Sequence, residues 1–159
     1  MVSTAPNTQS YDFTHVYNNE LFPSKQSIDI TNTIYEVLST HPHLNKFTSI
    51  VNTANLSTVL SDPQANLTVF AFVNSALDDP FLYNLNRLSA RNIVKSYTLQ
   101  RKIPIELLTY SKDIELSTQH PINKLYVSNV DGVTIVNGAF KLISEFVTGN
   151  GIVHVLHKL

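Results

Sequence analysis

Leu67-Thr68-Val69-Phe70-Ala71-Phe72-Val73 is a β-favouring run in which both alternating sets of side chains are apolar or β-branched. A strand with one wet face alternates apolar with polar residues, whereas a strand covered on both faces does not. The run therefore predicts a strand at the centre of the fold.

Upstream of it, Thr33-Ile34-Tyr35-Glu36 has the S/T-x-x-E form, in which hydroxyl and carboxylate satisfy each other's free backbone N–H groups. The pattern predicts a short helix through Leu38. After Pro42, the residues Leu44, Phe47, Val51 and Ala54 recur at three- and four-residue steps, as one buried helical face requires, and Asn55 can end that helix in the left-handed conformation. Residues 1–29 are rich in Ser, Thr, Asn and Gln, and their aromatics Tyr11, Phe13, Tyr17 and Phe22 follow no helical or strand period. They read as a polar extension, partly docked or disordered, ahead of a domain spanning 30–159.

Downstream, Ser89 can cap a helix whose Ala90, Ile93, Val94 and Tyr97 form an apolar stripe, with Arg91 and Lys95 opposite. The last third changes to period two. It predicts strands at Ile114–Thr118, Lys124–Ser128, Val133–Val136, Ala139–Ile143 and Ile152–Leu156, with Asp131-Gly132 and Asn137-Gly138 as tight turns and Gly149-Asn150-Gly151 as a corner. Helices first and strands last, without regular βαβ alternation, imply an α+β domain.

The chain has 159 residues, enough for a core that needs no staple, and no Cys, which removes disulfides, thiolate metal sites and cysteine nucleophiles together. Eleven basic against twelve acidic side chains leave no overall field to draw nucleic acid or anionic lipid, so a charge-driven partner needs a local patch. No window reaches the length of a membrane-spanning helix, and the first 30 residues lack the layout of a signal peptide.

The order of these blocks resembles the fasciclin (FAS1) domain. Leu67-Thr68-Val69-Phe70-Ala71-Phe72-Val73-Asn74-Ser75-Ala76-Leu77 is similar to that family's first motif, TVFAPTNEAF. Val136-Asn137-Gly138-Ala139 with Asn150-Gly151-Ile152-Val153-His154-Val155-Leu156-His157-Lys158-Leu159 is similar to its second, VNGA…NGVIHVIDKVL. Ile93-Val94-Lys95-Ser96-Tyr97-Thr98-Leu99 stands where the family has LLxYHVV. The resemblance covers about Ile30 to Leu159 and implies a wedge-shaped β-sandwich of about seven strands with several short helices. It also implies a secreted or surface-tethered adhesion or matrix module that binds a protein or glycan, with no catalytic activity and no cofactor. Some single-domain members carry apolar ligands such as carotenoids. This chain departs from the pattern at two places. Phe72 and Val73 replace the usual Pro and Thr, and Thr98 replaces the His of the Tyr-His pair associated with integrin adhesion, so an integrin-type contact is not expected.

Several residues that invite a chemical role have a plainer one. His41-Pro42-His43 supplies two imidazoles on a turn, whereas a metal site needs three or four converging ligands. His154 and His157, three apart in a strand, leave opposite faces, and His154 reads as a buried histidine bonded to backbone. Asp78-Asp79-Pro80 reads as a helix cap with Pro in the first turn, since calcium needs six to eight oxygens. No phosphate loop or nucleophile elbow is present. The partner surface that the resemblance implies is the segment Tyr97, Thr98 and Leu99, beside the basic residues Arg87, Arg91, Lys95, Arg101 and Lys102, whose plain reading is a solvated helix face. The alternative, an apolar small-molecule carrier, would use Phe72, Val73, Asn74 and Leu77, whose plain reading is core packing. Asn55-Leu56-Ser57 and Asn66-Leu67-Thr68 fit the N-glycosylation acceptor pattern.

Overall fold

The computed structural model describes residues 26–110 and 112–159. Tyr11, Phe13, Tyr17 and Phe22 of the polar extension lie outside the described residues. The last residues assigned to that extension, Gln26–Asp29, form strand β1. Four residues reading Gln-Ser-Ile-Asp are too short and too polar for a period to show.

The remaining strands are β2 (Leu67–Phe72), β3 (Thr98–Leu99), β4 (Ile114–Ser117), β5 (Lys124–Val130), β6 (Val133–Val136), β7 (Phe140–Thr148) and β8 (Gly151–Lys158). They share one hydrogen-bonded sheet in the order β3-β2-β8-β7-β6-β5-β4, and β1 pairs in parallel with β7. Among the described residues five α-helices accompany them: α1 (Ile34–Thr40), α2 (Asn45–Thr53), α3 (Ser57–Ser61), α4 (Arg87–Ser96) and α5 (Ile105–Thr109). The α+β class holds. Where the resemblance implies about seven strands in two sheets, the hydrogen bonds run unbroken through eight. The halves join at β7, which pairs with β6 only at Phe140 and Lys141, bulges between Leu142 and Ser144, and then carries β1 on residues 145–148. A bulge of this kind bends its strand, which lets one strand serve two parts of the sheet.

β2 is buried at all six residues and lies between β3 and β8. Its neighbours explain the absence of alternation: Phe70 and Phe72 sit in one core with Phe47, Leu38 and Leu156, so no side of the strand meets water. The predicted capping box is present, with Thr33 Oγ1 accepting from Glu36 N–H and Glu36 Oε1 accepting from Thr33 N–H at 2.9 Å. Asn55 takes φ 58° after α2, and Asp131 (φ 51°) with Gly132 (φ 80°) joins the paired residues Val130 and Val133 in a two-residue hairpin. Asp79 caps the 3-10 turn Pro80–Asn84 by accepting from Phe81 N–H, as its sequence context predicts.

The cap of α4 is a correction. Asn86, not Ser89, is the N-cap, and its Oδ1 accepts the Ser89 N–H at 2.8 Å. Ser89 supplies the backbone donor of the cap rather than the acceptor. Asn86→Ala is expected to lower stability by about 1 kcal/mol in urea unfolding, the usual cost of removing an N-cap acceptor.

Asn150 fixes the packing of the helices on the sheet. Its buried Oδ1 accepts from Ile34 N–H at 2.8 Å and from the Thr148 hydroxyl at 3.1 Å. Its Nδ2 donates to Leu60 O at 2.9 Å and Asp62 O at 3.0 Å. One side chain thus ties the start of α1, the end of α3 and the β7–β8 corner.

Candidate functional site

An open groove of about 770 Å³ lies between the C-terminal half of α4, the turn at 118–123 and the outer face of β5. Ile93, Tyr97, Ile122 and Tyr126 provide its apolar surface, and Asn92, Ser96, Asn123, Lys124 and Asn137 its polar groups. The arrangement follows from local structure. Leu125 and Val127 of β5 point to the core, so period two turns Tyr126 outward. The turn before β5 winds on His120, whose Nδ1 accepts the N–H groups of Ile122 and Asn123. That winding leaves Ile122 79% exposed at the rim.

Tyr97 is the fixed point. Its ring packs edge-on against Phe72 with centroids 4.7 Å apart, and its hydroxyl accepts from Asn137 Nδ2 at 3.2 Å. Asn137, at φ 54° in the turn after β6, also accepts the Tyr126 N–H at 3.0 Å, so one amide holds both tyrosines. Burial pushes the Tyr97 phenol up from its ordinary value, against the hydrogen bond from Asn137. Across the groove Asn123 Nδ2 donates to Ser96 Oγ at 2.9 Å. The site offers two aromatic rings, two isoleucines and neutral amides, with one lysine, Lys124, whose Nζ lies 3.8 Å from Glu115. This is contact chemistry: no pair of groups placed for proton transfer lines it.

Of the expected partner surface, Tyr97 lines the groove. Thr98 and Leu99 do not, and this is a correction: they are 1% and 0% exposed. They form β3 against β2, with the Thr98 hydroxyl donating to Val94 O at 2.7 Å. The chain turns inward immediately after Tyr97. The basic residues do not line the groove either. Arg91 Nη1 donates to Ala54 O at 3.2 Å, closing the end of α2, while Arg87, Arg101 and Lys102 are exposed and Lys95 is half-buried.

The residues set out for an apolar ligand have other occupations. The Phe72 ring is met by Phe47, Tyr97 and Phe140 at 5.9, 4.7 and 4.8 Å, and Val73 is fully buried. Asn74 Oδ1 accepts the Lys46 N–H at 3.0 Å. Leu77 lines a separate small cavity of about 160 Å³ with Lys46, Ile50, Leu82 and Tyr83. The four do not enclose a common space, because Phe72 and Val73 point into the core from the end of β2.

Asn55 and Asn66 are both exposed, although the Thr68 hydroxyl of the second triplet is committed to Arg101 O at 2.7 Å. His41 Nδ1 accepts the His43 N–H, capping the 3-10 turn Pro42–Leu44. Asp78 is paired with Lys158 at 2.9 Å, which holds its carboxyl below the usual range. Among the described residues no three His, Asp or Glu side chains converge as metal ligands, and no helix is long and apolar enough to cross a membrane. His154 is fully buried with Nε2 2.7 Å from Ile103 O. Sequence reasoning missed Ile122, Asn123 and Tyr126. The available signal was an isoleucine next to Pro121 in a turn, together with a tyrosine on the outward register of a strand.

The model of the Fasciclin domain family matches residues 42–159. Among solved structures, the FAS1 domain pair of the insect cell adhesion molecule fasciclin I is similar, with TM-score 0.63 and 16% sequence identity over 82% of this chain. The chain spans 51% of the length of that structure. No curated protein matches the sequence. The family model covers most of the chain, and the chain belongs to the Fasciclin domain family.

Proposed function

We propose that this domain is a non-enzymatic adhesion module, acting at a cell surface or in extracellular matrix, and that it engages a protein partner through the groove between α4 and β5. Fasciclin domains are in general adhesion and interaction modules of extracellular and cell-surface proteins, which supports the class. The observation that carries the site is the pairing of an exposed Ile122 and a 56% exposed Tyr126 with a Tyr97 held rigid by Asn137. Exposed aromatics on a rigid support provide large contact area with little entropy to lose, the usual chemistry of interface anchors. The replacement of the family's His by the buried Thr98 argues that Tyr97 works with Asn137 and Tyr126 rather than with a histidine next to it.

Cell adhesion to the immobilised domain tests this reading. Saturable attachment, competed by soluble domain and lost on prior heat unfolding, is the expected result. Background attachment across a panel of cell types and purified ectodomains would contradict it.

A further inference from the structure

One wall of the groove is wound on an imidazole. Residues 118–123 join β4 to β5, and Pro121 among them has no N–H, so the next donors in the turn are those of Ile122 and Asn123. Both go to one atom. His120 Nδ1 accepts the Ile122 N–H at 3.2 Å and the Asn123 N–H at 3.1 Å. An acceptor for two N–H groups has to present a lone pair, so this ring is neutral and carries its proton on Nε2. The rest of the turn is tied through backbone and hydroxyl groups: the His120 N–H reaches Lys95 O at 3.2 Å and Thr118 Oγ1 at 3.1 Å, and the Thr118 hydroxyl donates to Asn123 O at 2.6 Å. His120 is half-buried and stands outside the groove's lining, so water and protons reach the ring.

Protonation places an N–H on Nδ1. The ring then has two donors and no lone pair, and the N–H groups of Ile122 and Asn123 meet a donor where they had an acceptor. Both bonds are lost together because they share the atom. Ile122 and Asn123 line the groove, and Asn123 Nδ2 donates to Ser96 Oγ at 2.9 Å across it. Unwinding the turn therefore displaces an apolar anchor and the cross-groove bond in one step.

We propose that His120 is an acid-release catch on the groove: neutral, it holds Ile122 and Asn123 in the wound turn that a partner meets, and protonated, it lets that wall unwind and the partner leave. The effect on binding rests on the reading of the groove as the partner site. The direction comes from the two bonds themselves, since both require the neutral ring. The wound turn is favoured above the range in which an imidazole titrates and is lost as pH falls through it.

The elements that meet this turn bring few charges. They are Lys95 near the end of α4, Lys124 at the start of β5, and Glu115 of β4, which is paired with Lys124 at 3.8 Å; β3 brings none. Among the described residues no carboxylate is paired with the His120 ring, so a cationic ring gains no charged partner to offset the bonds it loses. The groove's own lining contains no histidine, which leaves His120 as the group that changes charge there in mild acid.

Nuclear magnetic resonance of the unmodified chain, titrated from about pH 8 to pH 5, tests the catch without a partner. The amide signals of Ile122 and Asn123 are expected to move upfield with the same midpoint as the His120 ring protons, as their hydrogen bonds are lost. His120→Asn supplies a side-chain oxygen that accepts the same N–H groups as an Asx turn and does not titrate, and both amides are expected to stay fixed in it. Cell attachment to the immobilised domain is expected to weaken about 10-fold between about pH 7.5 and pH 5.5, and by less than about 2-fold in His120→Asn. Ile122 and Asn123 signals that stay still while the ring titrates would overturn the proposal, whether or not the variant folds. Attachment that weakens equally in both proteins would overturn it as well. Failure of the groove reading is a separate result, seen as attachment at neutral pH that is indifferent to Tyr126→Ala.

Discussion

Gly151→Ala is expected to remove a large part of the stability of the domain. Gly151 opens β8 at φ +154°, directly opposite Leu67 in the parallel β2–β8 pairing. A Cβ there would stand 2.1 Å from Leu67 O and 2.7 Å from Ile34 Cδ1. The isoleucine could turn aside, but the carbonyl belongs to the central strand, and Leu67 N–H is held by Asn150 O at 3.2 Å. Backbone strain and overpacking against main chain add to about 3–5 kcal/mol, a large part of the 5–15 kcal/mol typical of a domain. Urea unfolding followed by circular dichroism measures it, and a loss under about 1 kcal/mol would show that the corner yields to accommodate a methyl group.

Asn150→Ala comes next. It leaves the Ile34 N–H without its acceptor and the Leu60 carbonyl without the Asn150 donor, while the Asp62 carbonyl keeps the Ala65 N–H. Each stranded buried group costs roughly 1–3 kcal/mol, so a total of about 3–4 kcal/mol is expected, read by the same unfolding curve. The loss should be cooperative, since α1, α3 and the β7–β8 corner share the one side chain. A separate early transition of α1 alone would place the staple elsewhere.

These two neighbours explain why so much of the fold was legible. Gly151 and Asn150 lie in the closing motif, where backbone conformation and buried hydrogen bonding leave little choice of residue, and the same holds for Asp131-Gly132 and the Thr33–Glu36 box. Such positions speak through residue type alone. β1 does not, because Gln26–Asp29 is stabilised by pairing with a strand more than a hundred residues away. The cap of α4 was misread by three residues because Asn86 and Ser89 are both good caps in isolation, and only the geometry of the preceding 3-10 turn decides between them.

The candidate site was legible at Tyr97 and little further. Adjacent residues in a sequence need not share a surface, and Thr98 and Leu99 turn into the core one step after Tyr97. The groove is instead completed by residues 25 to 40 positions downstream, brought round by the β4–β5 turn and the Asn137 turn. The aligned basic residues on α4 gave a strong one-dimensional pattern. Their periodicity reflects the outer face of a helix, and one of them, Arg91, is engaged in closing α2.

The account stands most directly on a binding comparison. Attachment of cells, or of the purified partner, is measured for the unmodified domain, for Tyr126→Ala with Ile122→Asp, and for Arg101→Glu with Lys102→Glu, after unfolding curves establish that all three fold alike. Loss of two interface anchors is expected to weaken binding by about 10-fold or more, with the basic-residue variant within about 2-fold of the unmodified domain. Undiminished binding by the groove variant, with binding abolished by charge reversal at Arg101 and Lys102, would contradict the assignment of the groove and move the contact to the basic face.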